Sequence, residues 1–366
     1  MKRLKRILSY LSVIIAVLPA SCHGGATGNS SNEAVPDTLM GKRLFPVGKD
    51  VLISADGVIS IVVGKNKSLW LWGDSFIGES KGGDIRDSLS RMVLGNVFVL
   101  LDGDSARTIC GGTPGNPLPV IAGEPVDGRH AVYWPHHGFL KDGVLHLFTS
   151  NIVFGEGGMW DFHCRAVAYF RLSYPGFKII DRQEMDSYPI NQVAYGYGLH
   201  EYQGYYYFYG NLSDGFAATL HAGRARLAGN RLQDWEYFDG TAWTSDPSKT
   251  APLEGVDVPV SSQFSIFKYK RKYILLTQEK GIGANDIYTF VADSPTGPWY
   301  NKKKIYSTPE PVHDKNLFAY NAMAHPQYDR DEMLLVSYCL NTHQPTLKVS
   351  DYRPRFIRVS YELIVE

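Results

Sequence analysis

Five short runs of aromatic and aliphatic residues recur along the chain, each preceded by a polar turn and a strand-like stretch. They read Leu69-Trp70-Leu71-Trp72, Leu145-His146-Leu147-Phe148, Tyr205-Tyr206-Tyr207-Phe208, Tyr273-Ile274-Leu275-Leu276 and Met333-Leu334-Leu335-Val336. The turns before them (GKNK, KDG, QG, YKRK and DRDE) are of types that close hairpins. First residues of successive runs stand 76, 60, 68 and 60 positions apart. A repeat of that length, with about four strands per unit, predicts an all-β, five-bladed β-propeller over residues 45–366. Outer strands are expected at 216–227, 235–238 and 287–292. The last strand, 357–365, is expected to complete the first blade and close the ring, which removes exposed sheet edges.

The N-terminus follows a different pattern. Lys2, Arg3, Lys5 and Arg6 precede an apolar run from Ile7 to Leu18, then Pro19-Ala20-Ser21-Cys22. The run is shorter than the roughly 20 residues that span a bilayer, and its flanks are those of a signal peptide over residues 1–21. Cys22 after small residues is the expected lipidation point, so the protein is expected to be an exported outer-membrane or cell-surface lipoprotein. Residues 22–44, opening with Gly, Ser, Asn and Ala, read as a flexible tether. Lys and Arg together number 37 and Asp and Glu 37, a neutral balance that argues against nucleic acid or an anionic membrane surface as partner. A monomer touching the membrane only through its lipid is expected. Cys110, Cys164 and Cys339 are widely spaced and form no CxxC pair, so neither a zinc ribbon nor a disulfide scaffold is signalled.

Aligning the hairpins puts polar residues at one common end. The aromatic strands run out into Asp74, Asn151, Asn211, Gln278-Glu279, and Tyr338 with Asn341. The facing strands begin near Asp56, at Trp134 to His137, Tyr197 to Glu201, Gln263, and Asn321 to His325. Five such ends predict a binding funnel in which Asp74, Trp134, Gln263 and Asn341 surround one pocket. The turns near Asn66, Asp142, Gln203, Lys270 and Arg330 should line the opposite mouth. Pairing about the turn Gly64-Lys65-Asn66-Lys67 sets Asp56 opposite Asp74 at the open end of the first hairpin. Two carboxylates this close cannot both ionise cheaply, so one pKa should rise and the other fall. An acid and a base made from like residues by their surroundings suit glycoside hydrolysis. Which aspartate is the acid stays open at this level, and Glu201 or Glu279 could supply it instead.

The runs ADGVISIV, SLWLWGDSF and RMVLGNVFVL, followed in order by YWPHHGFLKDGVLHLF, YYYFYGN, WEYFDGTAW, SPTGPW and AHPQYDRDEMLLVSYCLN, resemble bacterial five-bladed propeller proteins related to furanosidases. One branch of that family is similar to endo-acting D-arabinanases. The resemblance implies that Asp56 and Asp74, the aspartates of ADG and GDS, carry the chemistry; Ser75 and Cys339 depart from its usual pattern. It also implies a neutral furanoside polysaccharide as ligand. Trp134, Trp160, Tyr197, Tyr320 and Tyr338 could supply stacking faces, and Asn96, Asn151, Asn211, Gln263, Asn321 and Asn341 hydrogen bonds, with His136, Glu201 and His325 as further contacts. Related sugar-cleaving propellers can hold an axial calcium, but the histidines form no HxH or HxxxH pair and calcium prefers oxygen. No cofactor or metal is therefore expected. A sugar-binding propeller without catalysis, serving glycan uptake, would use the same funnel.

Overall fold

The computed structural model describes residues 34–158, 160–214, 217–280 and 284–366. The expected signal peptide and Cys22 lie outside them.

Each aromatic run is the second strand of an antiparallel sheet, and the five sheets are the blades of a propeller. Blade 1 contains Ile59–Gly64, Lys67–Trp72, Val97–Asp102 and Ser105–Ile109. Blade 2 contains Ala131–Lys141, Val144–Phe154, Phe162–Ser173 and Ile179–Glu184. Blade 3 contains Ala194–Tyr202, Tyr205–Asp214, Ala217–Ala228, Arg231–Phe238 and the short Trp243–Thr244. Blade 4 contains Ser265–Tyr269, Lys272–Gln278, Asp286–Ala292 and Tyr300–Ser307. Blade 5 contains Leu317–Ala324, Met333–Thr342 and Arg355–Ser360. The hairpin turns carry left-handed residues where the sequence placed them, at Asn66, Asp142, Gln203, Lys270 and Asp331.

The second strands are apolar throughout because alternate side chains feed two different cores. Leu69 and Leu71 pack with Leu145 and Leu147 between blades 1 and 2. Trp70 and Trp72, pointing the other way, pack with Leu335 and Phe356 between blades 1 and 5. Phe148 meets Tyr206 and Phe208, Tyr207 and Tyr209 meet Tyr273 and Leu275, and Ile274 and Leu276 meet Leu334 and Val336. Five cores between five neighbouring pairs of sheets make a closed ring.

Closure differs from the expectation. The last strand, Arg355–Ser360, is the third of blade 5, and the chain then turns into the helix Tyr361–Val365. The outermost strand of blade 5 comes from the other end of the chain: Val35–Pro36 pairs antiparallel with Arg358 and Ile357. The expected tether therefore stops short of residue 44. Helix α1, Thr38–Leu44, is capped by the Asp37 carboxylate and buries Met40 and Leu44 against Trp70 and Trp72. A two-residue strand after a polar stretch has no alternation to betray it.

Candidate active site

The hairpin of blade 1 does not end at its aspartates. Pairing about the turn runs from Val62↔Ser68 to Ile59↔Leu71 and resumes at Ala55↔Ser75 and Ser54↔Phe76 in a small second sheet of Gly48–Ala55, Ser75–Ser80 and Arg91–Val93. Asp56 and Asp74 occupy the step between the sheets rather than an open end. Their backbones are bonded, Gly73 N–H to Asp56 O at 2.8 Å and Asp56 N–H to Asp74 O at 3.4 Å. Two glycines make the step possible. Gly57 has φ +66°, and a Cβ on Gly73 would stand 2.5 Å from Asp56 Oδ1.

Both carboxyls are half-buried, and each has its own donors. Tyr320 Oη–H donates to Asp56 Oδ2 at 2.7 Å. Asp74 Oδ1 accepts Gly95 N–H at 2.8 Å and Trp134 Nε1–H at 3.2 Å, while Tyr352 Oη–H donates to the Asp74 carbonyl at 2.9 Å. Burial, then the neighbouring Asp74 charge, pushes the Asp56 pKa up to about 7. Burial raises Asp74 as well, opposed by the Gly95 amide, the Trp134 indole and the charge of His130. The expectation that one value falls is thus corrected: desolvation raises both. The order of ionisation nevertheless follows, because the Asp74 charge repels an ionised Asp56, while the Gly95 amide, the Trp134 indole and the His130 charge favour an ionised Asp74. Asp74 ionises first, and Asp56 keeps its proton.

The pair lies on the wall of a cavity of about 970 Å³. Asp74, Trp134, Gln263 and Asn341, drawn from blades 1 and 2, the approach to blade 4, and blade 5, all line it, as do Tyr197, Tyr320 and Asn321. Bulges aim several of these residues. The innermost strands of blades 2, 3 and 5 shift register between Pro135 and Gly138, Tyr195 and Gly198, and Tyr320 and Met323. Each bulge rotates the strand end out of the ladder. Gln263 presents a buried Oε1 without a hydrogen-bond partner among the described residues.

Other expected contacts do not reach the cavity. His136 bonds Tyr195 O and Ser150 Oγ, and His325 bonds Ser60 Oγ and Ser337 Oγ. Burial pushes both imidazoles down to about 3, so they act as neutral pins between blades 2 and 3 and between blades 5 and 1. Asn96 is consumed by the backbone of Ile121 and Tyr133, and Asn211 by the carbonyls of Ser261 and Ser262. Asn151 is buried, with one long contact to Val132 O. These amides brace the wall; they do not form its surface. Tyr338 is buried on the blade 4 side with its hydroxyl on Glu310. Glu201 is exposed and pairs with Tyr206 beside the Gln203-Gly204 turn, at the opposite end of its strand. Among the described residues, the carboxylates lining the cavity are Asp56, Asp74 and Glu279, and no group of three or more His, Cys, Asp or Glu is arranged to hold a metal.

Sequence reasoning missed part of the lining. Phe162 packs edge-on against Trp134 with ring centroids 4.9 Å apart, Phe154 lies against Phe162 at 6.1 Å, and Phe318 faces Trp160 at 5.9 Å. Phe76 and Tyr352 also border the cavity, as does the segment 341–346. Phe76 was within reach, since it follows Asp74 by two positions; Tyr352 lies in a loop with no pattern.

The fold has counterparts among solved structures. The crystal structure of a candidate hydrolase from Bacteroides ovatus superposes with a TM-score of 0.70 at 17% identity, covering 91% of this chain and 92% of that one. The Bacteroides ovatus xyloglucan PUL GH43B gives 0.50 at 11% identity, covering 89% of this chain and 54% of the other. No curated protein sequence matches. The family described as "Domain of unknown function (DUF5005)" matches residues 48–361, and this propeller, with its opposed aspartates, belongs to it.

Proposed function

We propose that this protein is an exported glycoside hydrolase, anchored through Cys22, that cleaves furanose-containing, arabinan-like polysaccharide. The observation that carries the reading is the Asp56–Asp74 pair: two half-buried, opposed carboxyls in unequal surroundings beside an aromatic-walled cavity. Asp56, protonated up to about pH 7, gives its proton to the leaving-group oxygen. Asp74, ionised first and held by Gly95 and Trp134, faces the anomeric carbon or activates the water that attacks it. Trp134, Trp160 and Phe318 offer faces on which sugar rings stack, and Gln263 Oε1 is an acceptor in want of a hydroxyl. The fold shared with the GH43B protein supports the reaction class.

The test is incubation with a panel of arabinans and other furanosides, with products separated by chromatography. Asp56→Asn and Asp74→Asn should each lower turnover by roughly 10²–10⁴-fold while leaving circular dichroism unchanged. Near-normal turnover in both variants overturns the assignment. Binding of the same glycans by the wild-type protein without any cleavage identifies a sugar-binding propeller instead.

A further inference from the structure

One stretch of the cavity rim is cationic without a structural reason to be. Arg86 and Lys348 both line the cavity, on two loops that pair with each other through Ile85↔Lys348 and Arg86 N–H to Leu347 O at 2.8 Å. Arg86 is half-buried, its guanidinium 3.6 Å above the centroid of the Phe76 ring. Of its five N–H donors one is used, Nη2 to Thr346 O at 3.2 Å. The nearby carboxylates are engaged elsewhere. Asp84 accepts from Ser350, Asp87 caps Leu89 and lies 3.8 Å from Lys81, and Asp351 accepts from Thr346; none of them lines the cavity. Among the described residues neither Arg86 nor Lys348 has an acidic partner within 4.0 Å. Burial alone lowers the Arg86 pKa, with no neighbouring charge to offset it.

A half-buried guanidinium stacked on a ring, with free donors and no counter-ion, matches an anionic, planar or tetrahedral oxygen group supplied by a ligand. Its position relates it to the aspartates. Phe76 follows Asp74 by two residues, about 7 Å of extended chain, and packs edge-on against Tyr352, whose hydroxyl bonds the Asp74 carbonyl. We propose that Arg86 and Lys348 form a subsite, about one sugar away from the aspartates, for an acidic substituent of the glycan, either a uronate carboxylate or a sulfate ester. The proposal rests on the cavity being the glycan site, but it concerns recognition and not cleavage.

Binding is therefore the readout. Calorimetry would compare oligosaccharides from a glucuronate-decorated arabinan, the same oligosaccharides after carboxyl reduction, and sulfated forms of the reduced set. The expected result is that one acidic form binds about tenfold tighter than the reduced form, the size of one charge-assisted bidentate contact, with the advantage shrinking as NaCl is raised. Preference for the uronate or for the sulfate assigns the substituent. Arg86→Gln should bring the acidic form to the affinity of the reduced one. Lys348→Gln, an exposed change that leaves the Phe76 stack intact, should remove part of the preference and guards against a misfolded Arg86 variant. Equal binding of acidic and reduced forms by the wild-type protein overturns the subsite, as does an unchanged preference in both variants. Absence of hydrolysis would count against the reaction above and would leave this comparison readable.

Discussion

At the scale of residues, Asp56 and Asp74 are alike in chemistry and differ only in what surrounds them. The proposed reaction needs Asp56 protonated and Asp74 ionised, so kcat/KM should follow a bell in mildly acidic solution, its alkaline limb near the Asp56 value of about 7. Tyr320→Phe removes a donor that favours the Asp56 anion, so the alkaline limb should move to higher pH. Trp134→Phe removes a donor to Asp74 and should move the acid limb up instead. A pH–rate profile in which either limb moves the other way sinks the role given to that side chain. The same shift acts on stability. A carboxyl raised from the ordinary 3.8 to about 7 by folding stabilises the native state below the unfolded value, and that contribution is lost as pH rises through about 7. Asp56→Asn should therefore gain stability over wild type at pH 8, by roughly 1 kcal/mol or more, and show little gain at pH 4. Thermal melts at the two pH values check this.

At the scale of elements, the aspartates are held by a hairpin that changes sheets, and the other wall residues are aimed by bulges. Gly196, at φ +105°, sits in the blade 3 bulge where an added Cβ would run into Phe148. Gly196→Ala should cost about 2–4 kcal/mol from overpacking and strain and should displace Tyr197 from the cavity wall; denaturant melts would measure the first effect. Gly73→Ala presses on the Asp56 carboxylate itself and should abolish turnover at a smaller cost in stability. These devices also mark how far the sequence could be read. The hairpins were legible because a strand buried on both faces must be apolar at every position, and Leu69 to Trp72 satisfies that demand for two cores at once. The opposition of Asp56 and Asp74 was legible because register about a known turn is arithmetic. Bulges were not, for one extra residue shifts the register without changing composition; His136 and His325, read as sugar contacts, turn inward as pins for this reason. Glu201 was misplaced although its closeness to the Gln203-Gly204 turn already put it at the far mouth.

At the scale of the whole molecule, the ring is a cycle of five cores, and its seam lies beside the aspartates. Trp70 and Trp72, which run straight into Gly73 and Asp74, share their core with Met40 and Leu44 of α1 and with Leu335, Cys339 and Phe356 of blade 5. The seam is also held by charge. Asp37 caps α1 through its bonds to Leu39 and Met40 N–H and accepts Arg358 Nε–H at 2.7 Å, both side chains being buried. Burial pushes the Asp37 pKa up, but the Met40 amide and the Arg358 guanidinium outweigh it, and the carboxyl ends below its ordinary value. A chain starting at residue 45 would lose the two buried side chains of α1, about 2–3 kcal/mol each, the edge strand Val35–Pro36, and the partner of a buried arginine, a loss of roughly 3–5 kcal/mol by itself. The expected outcome is a lower melting temperature, faster proteolysis within blade 5, and reduced turnover, since the tryptophans behind Asp74 lose their support. Asp37→Ala isolates the ionic part and should reproduce much of the loss of stability with the rest of the N-terminal segment in place. A truncated chain that melts and turns over like the full one would show that the ring closes through the blade 5–blade 1 contacts alone, with His325 on Ser60 and Cys339 on the Gly57 amide sufficient to hold it.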